Sequence, residues 1–217
     1  MNERISNLLS QIVKFGVLIL VVTTPLLFWN LTSEYFETPK FLVLAALTLI
    51  LLFLWSLKLL LYGGVKIVRT PIDISLLLLL VIAAVSTFTA SSHSVAILGN
   101  FPRIHGSLIA WVAYILFYFT LVSNMKGAKD VKPVLLTMVG AGVALSLISL
   151  LSYIGVFLPL SWAKALNFTP TGSTFSSTAY LALLLPFTLK SAIAGSNRIK
   201  TAGWAITTLF AITITLL

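Results

Sequence analysis

The sequence predicts an all-α protein, a polytopic transmembrane helical bundle, and three observations carry that expectation. Apolar residues fill 59% of the 217 positions, charged residues only 9%, and the mean hydropathy is +1.09. A water-soluble domain carries about a quarter of its residues as charges. The apolar residues run in continuous stretches and not in alternating pieces of about ten, so they read as helices and not as strands of a membrane barrel. At roughly 20 residues per crossing, the length holds about seven spans joined by short loops: a single transmembrane domain over residues 1–217 without a sizeable soluble part. With no cysteine, thiol catalysis, disulfide staples and Cys-ligated metal are excluded.

The expected spans are 12–29, 41–61, 71–90, 107–123, 133–157, 174–194 and 201–217. Arg4 and Lys14 precede the first apolar run as in a secretory leader, but Trp29-Asn30-Leu31-Thr32 offers no small-residue cleavage site, so the span is retained. Pro39 marks the start of the second. The third opens on Pro71 and Asp73, both suited to a first helical turn: proline lacks an amide hydrogen, and a carboxylate complements the positive end of the helix dipole. That structural role for Asp73 outweighs a proton relay. The fourth span follows Gly106. In the fifth, Gly142, Ser146 and Ser149 recur at spacings of four and three beside Gly140 and Ala144, a stripe of small residues on which a neighbouring helix can pack closely. Pro170-Thr171-Gly172 turns the chain sharply into the sixth, and the seventh runs to Leu217. No internal repeat pairs the spans into two halves, which argues against an inverted-repeat transporter.

The formal charge of +9 follows from topology. With the N-terminus cytoplasmic, Arg4, Lys14, Lys58, Lys66, Arg69, Lys126, Lys129, Lys132, Lys190, Arg198 and Lys200 lie inside, and Lys40, Arg103 and Lys164 lie outside. Such an excess inside sets the orientation. Basic residues spread between spans do not build a nucleic-acid footprint, so the bilayer and not nucleic acid is the expected partner. Lys14, Lys58 and Lys190 sit near cytoplasmic span ends, where a long stem can snorkel to the headgroups and avoid about 3 kcal/mol of central burial.

Three segments on the outer face interrupt the apolar pattern. Leu31 to Lys40 reads either as a solvated turn with Glu34, Glu37 and interfacial aromatics, or as a turn that offers Lys40 to a substrate. Ser91 to Gly106 holds Arg103 and His105. The guanidinium of Arg103 is a planar fork of donors suited to a phosphate or diphosphate, and equally a headgroup anchor. His93 and His105 lie on this segment with no third ligand in reach, so no metal is expected; either is a candidate base that needs a positioned reactant. Leu158 to Ser173, with Trp162, Lys164 and Phe168, reads as a semi-buried cap. No P-loop, nucleophile elbow or dinucleotide fingerprint occurs.

In series these segments resemble the bacterial O-antigen ligase and O-antigen polymerase family: Phe36-Glu37-Thr38-Pro39-Lys40 before span two, Gly99-Asn100-Phe101-Pro102-Arg103-Ile104-His105-Gly106 before span four, and Phe168-Thr169-Pro170-Thr171-Gly172-Ser173 before a Leu-rich span. The resemblance covers the chain from about residue 35 onward. It implies a multi-pass protein of the bacterial inner membrane that moves a glycan from an undecaprenyl-diphosphate carrier to an acceptor (lipid A-core, glycan or protein) on the periplasmic face, without a cofactor. It further implies that arginines hold the diphosphate and that a histidine activates the acceptor. Arg103, His105 and Lys40 are the corresponding lipid-diphosphate candidates here.

Two departures stand out. Thr169, Pro170 and Thr171 occupy the stretch before Gly172 where many members place an arginine. The late periplasmic loop that carries the family's key arginine and histidine is not found, so no catalytic residue is assigned, and the sequence is expected to be the N-terminal part of a longer protein. A permease or flippase-like subunit is the alternative from another class, and a non-catalytic membrane scaffold a third; transport predicts buried polar groups facing a cavity.

Overall fold

The computed structural model describes residues 2–30, 34–62, 68–100, 104–125, 127–160 and 163–217. Among these residues it is all-helical: α1 (Asn2–Leu26), α2 (Glu37–Tyr62), α3 (Asp73–Thr89), α4 (His93–Leu98), α5 (Leu108–Asn124), α6 (Ala128–Tyr153), α7 (Thr174–Ala194) and α8 (Asn197–Leu216). Among the described residues five helical stretches are long and apolar enough to cross a membrane: Arg4–Leu26, Glu37–Leu61, Ala128–Tyr153, Thr174–Ala194 and Asn197–Leu216. They mark a multi-pass membrane protein. The helices α3 and α5 have 17 residues each, about 25 Å at 1.5 Å per residue, against a hydrocarbon core of about 30 Å.

Seven of the helices fall on the seven expected spans, and the differences have local causes. Helix α1 begins ten residues before the expected start, because the polar stretch Asn2–Gln11 winds as part of the same helix. Helix α6 also starts early and runs through Pro133, whose missing amide removes one bond of its ladder. It ends before the expected 157 because Gly155 adopts φ +84. The amide of Gly155 donates to Ser152 O at 3.2 Å and that of Val156 to Leu151 O at 2.8 Å, the paired bonds of a Schellman cap. Short α4 lies within a segment expected to be irregular.

The start of α3 shows why Pro71 and Asp73 stand where they do. The Asp73 carboxylate accepts the Thr70 amide at 2.8 Å and the Thr70 hydroxyl at 2.6 Å, tying the first residue of α3 to the turn before it, and Tyr118 of α5 lies 2.5 Å from the same hydroxyl. Asp73 is thereby committed to a structural role.

By packing, the chain forms two compact units: Met1–Leu20 with Glu37–Lys132, and Val21–Phe36 with Pro133–Leu217. In the first, α5 packs against α2, α3 and α4. Lys14 Nζ reaches Asp130 Oδ1 at 2.5 Å, and Lys58 Nζ donates to Ser10 Oγ at 2.6 Å. The Lys58 side chain turns onto α1, and the residue is only 9% exposed. Lys190 is exposed.

In the second unit, Leu145, Leu181, Leu184 and Phe210 make the buried centre. Gly142 lets this centre close, since a Cβ there would meet Leu184 Cδ1 and Phe210 Cζ at 2.9 Å. Ser146 and Ser149 are fully buried on the same face of α6, as the small-residue stripe implies; Gly140 instead faces open space. The tightest backbone approach is elsewhere: a Cβ on Gly203 of α8 would lie 2.5 Å from the Ala192 nitrogen of α7. Gly203→Ala therefore forces α7 and α8 apart and is expected to cost about 1–3 kcal/mol. Gly142→Ala, opposed only by side-chain ends, should cost less, and Gly140→Ala should be neutral or stabilising. Thermal denaturation in detergent measures the order.

Candidate functional site

The segments that interrupt the apolar pattern are the natural place for chemistry, and their geometry begins with the start of α2. Glu37 is its first residue, a favourable place for a carboxylate at the positive end of the helix dipole. Pro39 follows in the first turn, where its missing amide leaves no ladder bond unmade. Lys40, half-buried, comes three residues after Glu37, a spacing that puts both on one side of a helix.

His105 sits in the turn that leads into α5. Ser107 caps that helix: its hydroxyl accepts the Ala110 amide at 3.3 Å and donates to Ile104 O at 2.7 Å, holding Ile104 to Ser107 in a fixed turn. The turn brings His105 Nε2 to 3.0 Å from Glu37 Oε1, while Glu37 Oε2 is shielded from solvent and has no hydrogen-bond partner among the described residues. The carboxylate orients the imidazole through Nε2. A ring held this way can donate to a phosphate or take a proton from a hydroxyl. Side chains 51% and 36% exposed form a pair that contributes at most about 1 kcal/mol, so its role is to place the ring and not to hold the fold.

Of the three lipid-diphosphate candidates, the structure brings His105 to the first turn of α2, which also carries Lys40. Arg103, with Phe101 and Pro102, lies outside the described residues. His93 begins α4 and is exposed. Among the described residues no group of three or more His, Cys, Asp or Glu gathers to hold a metal.

The third segment is a built cap within the second unit. Phe168, Thr169 and Pro170 are buried. The Phe168 ring meets Phe28 edge-on at 5.4 Å and Phe36 at 5.9 Å. Gly172 has φ +86, and a Cβ there would lie 2.5 Å from Phe36 Cγ, so both backbone and space require glycine. Thr171 Oγ1 contacts Ser177 Oγ at 2.6 Å and donates to Ser173 O at 2.8 Å, tying the turn to the first turns of α7. Trp162 lies outside the described residues, and Lys164 is exposed.

Consecutive residues Phe36 and Glu37 thus each contact one of the other two segments, Phe36 through Phe168 and Gly172, Glu37 through His105. Sequence reasoning treated Glu37 as part of a solvated turn; its position at the very start of a long apolar run was the available sign that it begins a helix. Its pairing with His105 leaves no local mark in the sequence.

Comparison with known proteins adds no relative: no protein-family model, curated protein or solved structure matches this chain.

The weight of the pair is measurable. In a double-mutant cycle, Glu37→Gln and His105→Ala should show a coupling of about 1 kcal/mol or less in thermal denaturation. A substantially larger coupling would make the pair a structural clamp.

Proposed function

We propose that this chain forms the membrane part of a glycan ligase or polymerase of the O-antigen type, working at the outer face of a bacterial inner membrane on an undecaprenyl-diphosphate-linked glycan. The observation that carries the reading is the series of three segments that resemble this family, each placed directly before a helix, α2, α5 and α7, with the first segment in contact with each of the others. Seven crossings, with α3 and α5 spanning despite their length and the N-terminus cytoplasmic, send all three segments to the outer side. The excess of lysine and arginine in the remaining connections supports that orientation.

The chemistry is consistent with the residues. A diphosphate is a ready leaving group, so transfer needs positive charge on the diphosphate and a base on the acceptor hydroxyl. Arg103, Lys40 and His105 supply donors for the diphosphate. The acceptor is lipid A-core, another glycan or a protein, and no catalytic base is assigned. The permease or flippase-like alternative predicts buried polar groups, and α6 does bury the hydroxyls of Ser146, Ser149 and Ser152; the carboxylates of Asp130 and Asp73 are engaged by Lys14 and Thr70.

In the complete protein of which this chain forms the membrane part, Arg103→Ala should lower consumption of lipid-linked glycan in membranes by about tenfold or more, the effect of losing a charge-assisted hydrogen bond, while leaving membrane insertion unchanged. Unchanged turnover would remove Arg103 from the site, and absence of any turnover by the complete wild-type protein with every acceptor class would overturn the proposal.

A further inference from the structure

Helix α6 buries three serine hydroxyls in succession. Ser146 and Ser149 are fully buried and Ser152 is 1% exposed, and the Oγ of each is shielded from solvent with no hydrogen-bond partner among the described residues. At about 3.6 residues per turn they share one side of the helix with Gly142 and Leu145, the side that meets Leu181 and Leu184 of α7 and Phe210 of α8. Other buried hydroxyls bond to a carbonyl of their own helix: Thr120 to Leu116 O at 2.8 Å, Thr188 to Leu185 O at 3.0 Å and Thr213 to Leu209 O at 2.8 Å. The three serines of α6 do not, so their hydroxyls turn away from their own backbone.

A second group of hydroxyls gathers at the same end of the unit. Thr169 Oγ1 lies 3.3 Å from Thr171 Oγ1, which contacts Ser177 Oγ at 2.6 Å, and Ser177 is fully buried. As consecutive crossings α6 and α7 run in opposite directions, so the turn of α6 after Gly142 stands level with the turn of α7 before Leu181. Ser146 and Ser149 thereby come to the level of Ser177, beneath the cap formed by 168–172.

We infer that this hydroxyl layer binds ordered water, which bridges Ser146, Ser149 and Ser152 to one another and to the Thr171 and Ser177 pair. Cβ atoms three or four residues apart on a helix lie about 5–6 Å apart, and one water making two hydrogen bonds of about 2.8 Å spans such a gap. An unpaired hydroxyl is costly in an apolar interior, and water is the smallest group that both donates and accepts. Charge disfavours ionic occupants. None of the five acidic residues lies beyond Asp130, so a cation would stand uncompensated; an anion would find no buried base, because Lys164, Lys190, Arg198 and Lys200 are exposed. The apolar centre of Leu145, Leu181, Leu184 and Phe210 borders the layer on the side away from the cap, so the water forms a closed pocket and not a file across the unit. The inference rests on α6 and α7 as membrane crossings and is independent of any glycan chemistry.

X-ray radiolysis of the full chain in detergent, with oxygen incorporation located by mass spectrometry, tests this, because radicals formed from bound water label side chains that bulk solvent does not reach. In wild type, Phe210 and Leu181, both fully buried, should be labelled. Ser146→Ala combined with Ser149→Ala should lower that labelling about tenfold, and each single substitution should lower the thermal midpoint by about 3 °C, since it removes a bond that water makes. Leu147→Ala, on the exposed side of α6, should leave labelling within about twofold. Should the double variant fail to fold, Ser149→Ala decides. No labelling of Phe210 and Leu181 in wild type, equal labelling in the serine variants, or a thermal midpoint that rises in both single variants would each overturn the inference. Labelling that changes with the sodium or potassium supplied would also overturn it, by making the occupant a cation.

Discussion

Everything in this structure follows from one constraint: backbone amides and carbonyls in hydrocarbon have no water to bond, so the chain must satisfy them within each segment. Long helices do that without partners. The surface they leave is apolar to a degree no aqueous protein sustains, with Leu60 84%, Phe175 80% and Leu183 70% exposed. Polar residues appear at helix ends, and within helices several hydroxyls, those of Thr87, Thr120 and Thr213 among them, donate to the carbonyl one turn back. The Asp73 carboxylate satisfies the Thr70 amide in the turn ahead of α3, and the Gly155 turn satisfies orphan carbonyls at the end of α6.

The two units hold their helices by different means. In the second, burial of Leu145, Leu181, Leu184 and Phe210 depends on glycines that admit close approach, because lipid tails are as apolar as leucine and the attraction between helices is mostly packing. In the first, polar contacts supplement packing: Lys14 with Asp130, Lys58 with Ser10, Tyr118 with the α3 cap. Ser107 similarly fixes the turn before α5, so the imidazole of His105 is set by the helix cap behind it and by Glu37 in front.

Much of this was legible in the sequence because membrane helices announce themselves by composition. Pro71 and Asp73 correctly mark a helix start, and Gly142 with Ser146 correctly marks a packed face. What hydropathy missed is local hydrogen bonding and long-range pairing. Gly155 ends α6 through a positive φ that an apolar average passes over, and Asn2–Gln11 falls outside the expected first span because it is polar, although it is helical. Gly203 sits in an unremarkable Thr-Ala-Gly-Trp run, and only the nearness of Ala192 shows why a side chain does not fit. Glu37 and His105 are far apart in the chain, and each has a bland local reading. The site was legible as three segments of unusual composition, but not as contacts among them.

The account stands on the side of the membrane to which the His105 turn belongs. Since the chain has no native cysteine, single-cysteine variants report it directly. Treat intact spheroplasts carrying His105→Cys or Lys129→Cys with a membrane-impermeant maleimide. The account predicts labelling at 105 in intact spheroplasts and at 129 only after permeabilisation. Labelling at 129 without permeabilisation, with 105 protected, would contradict it.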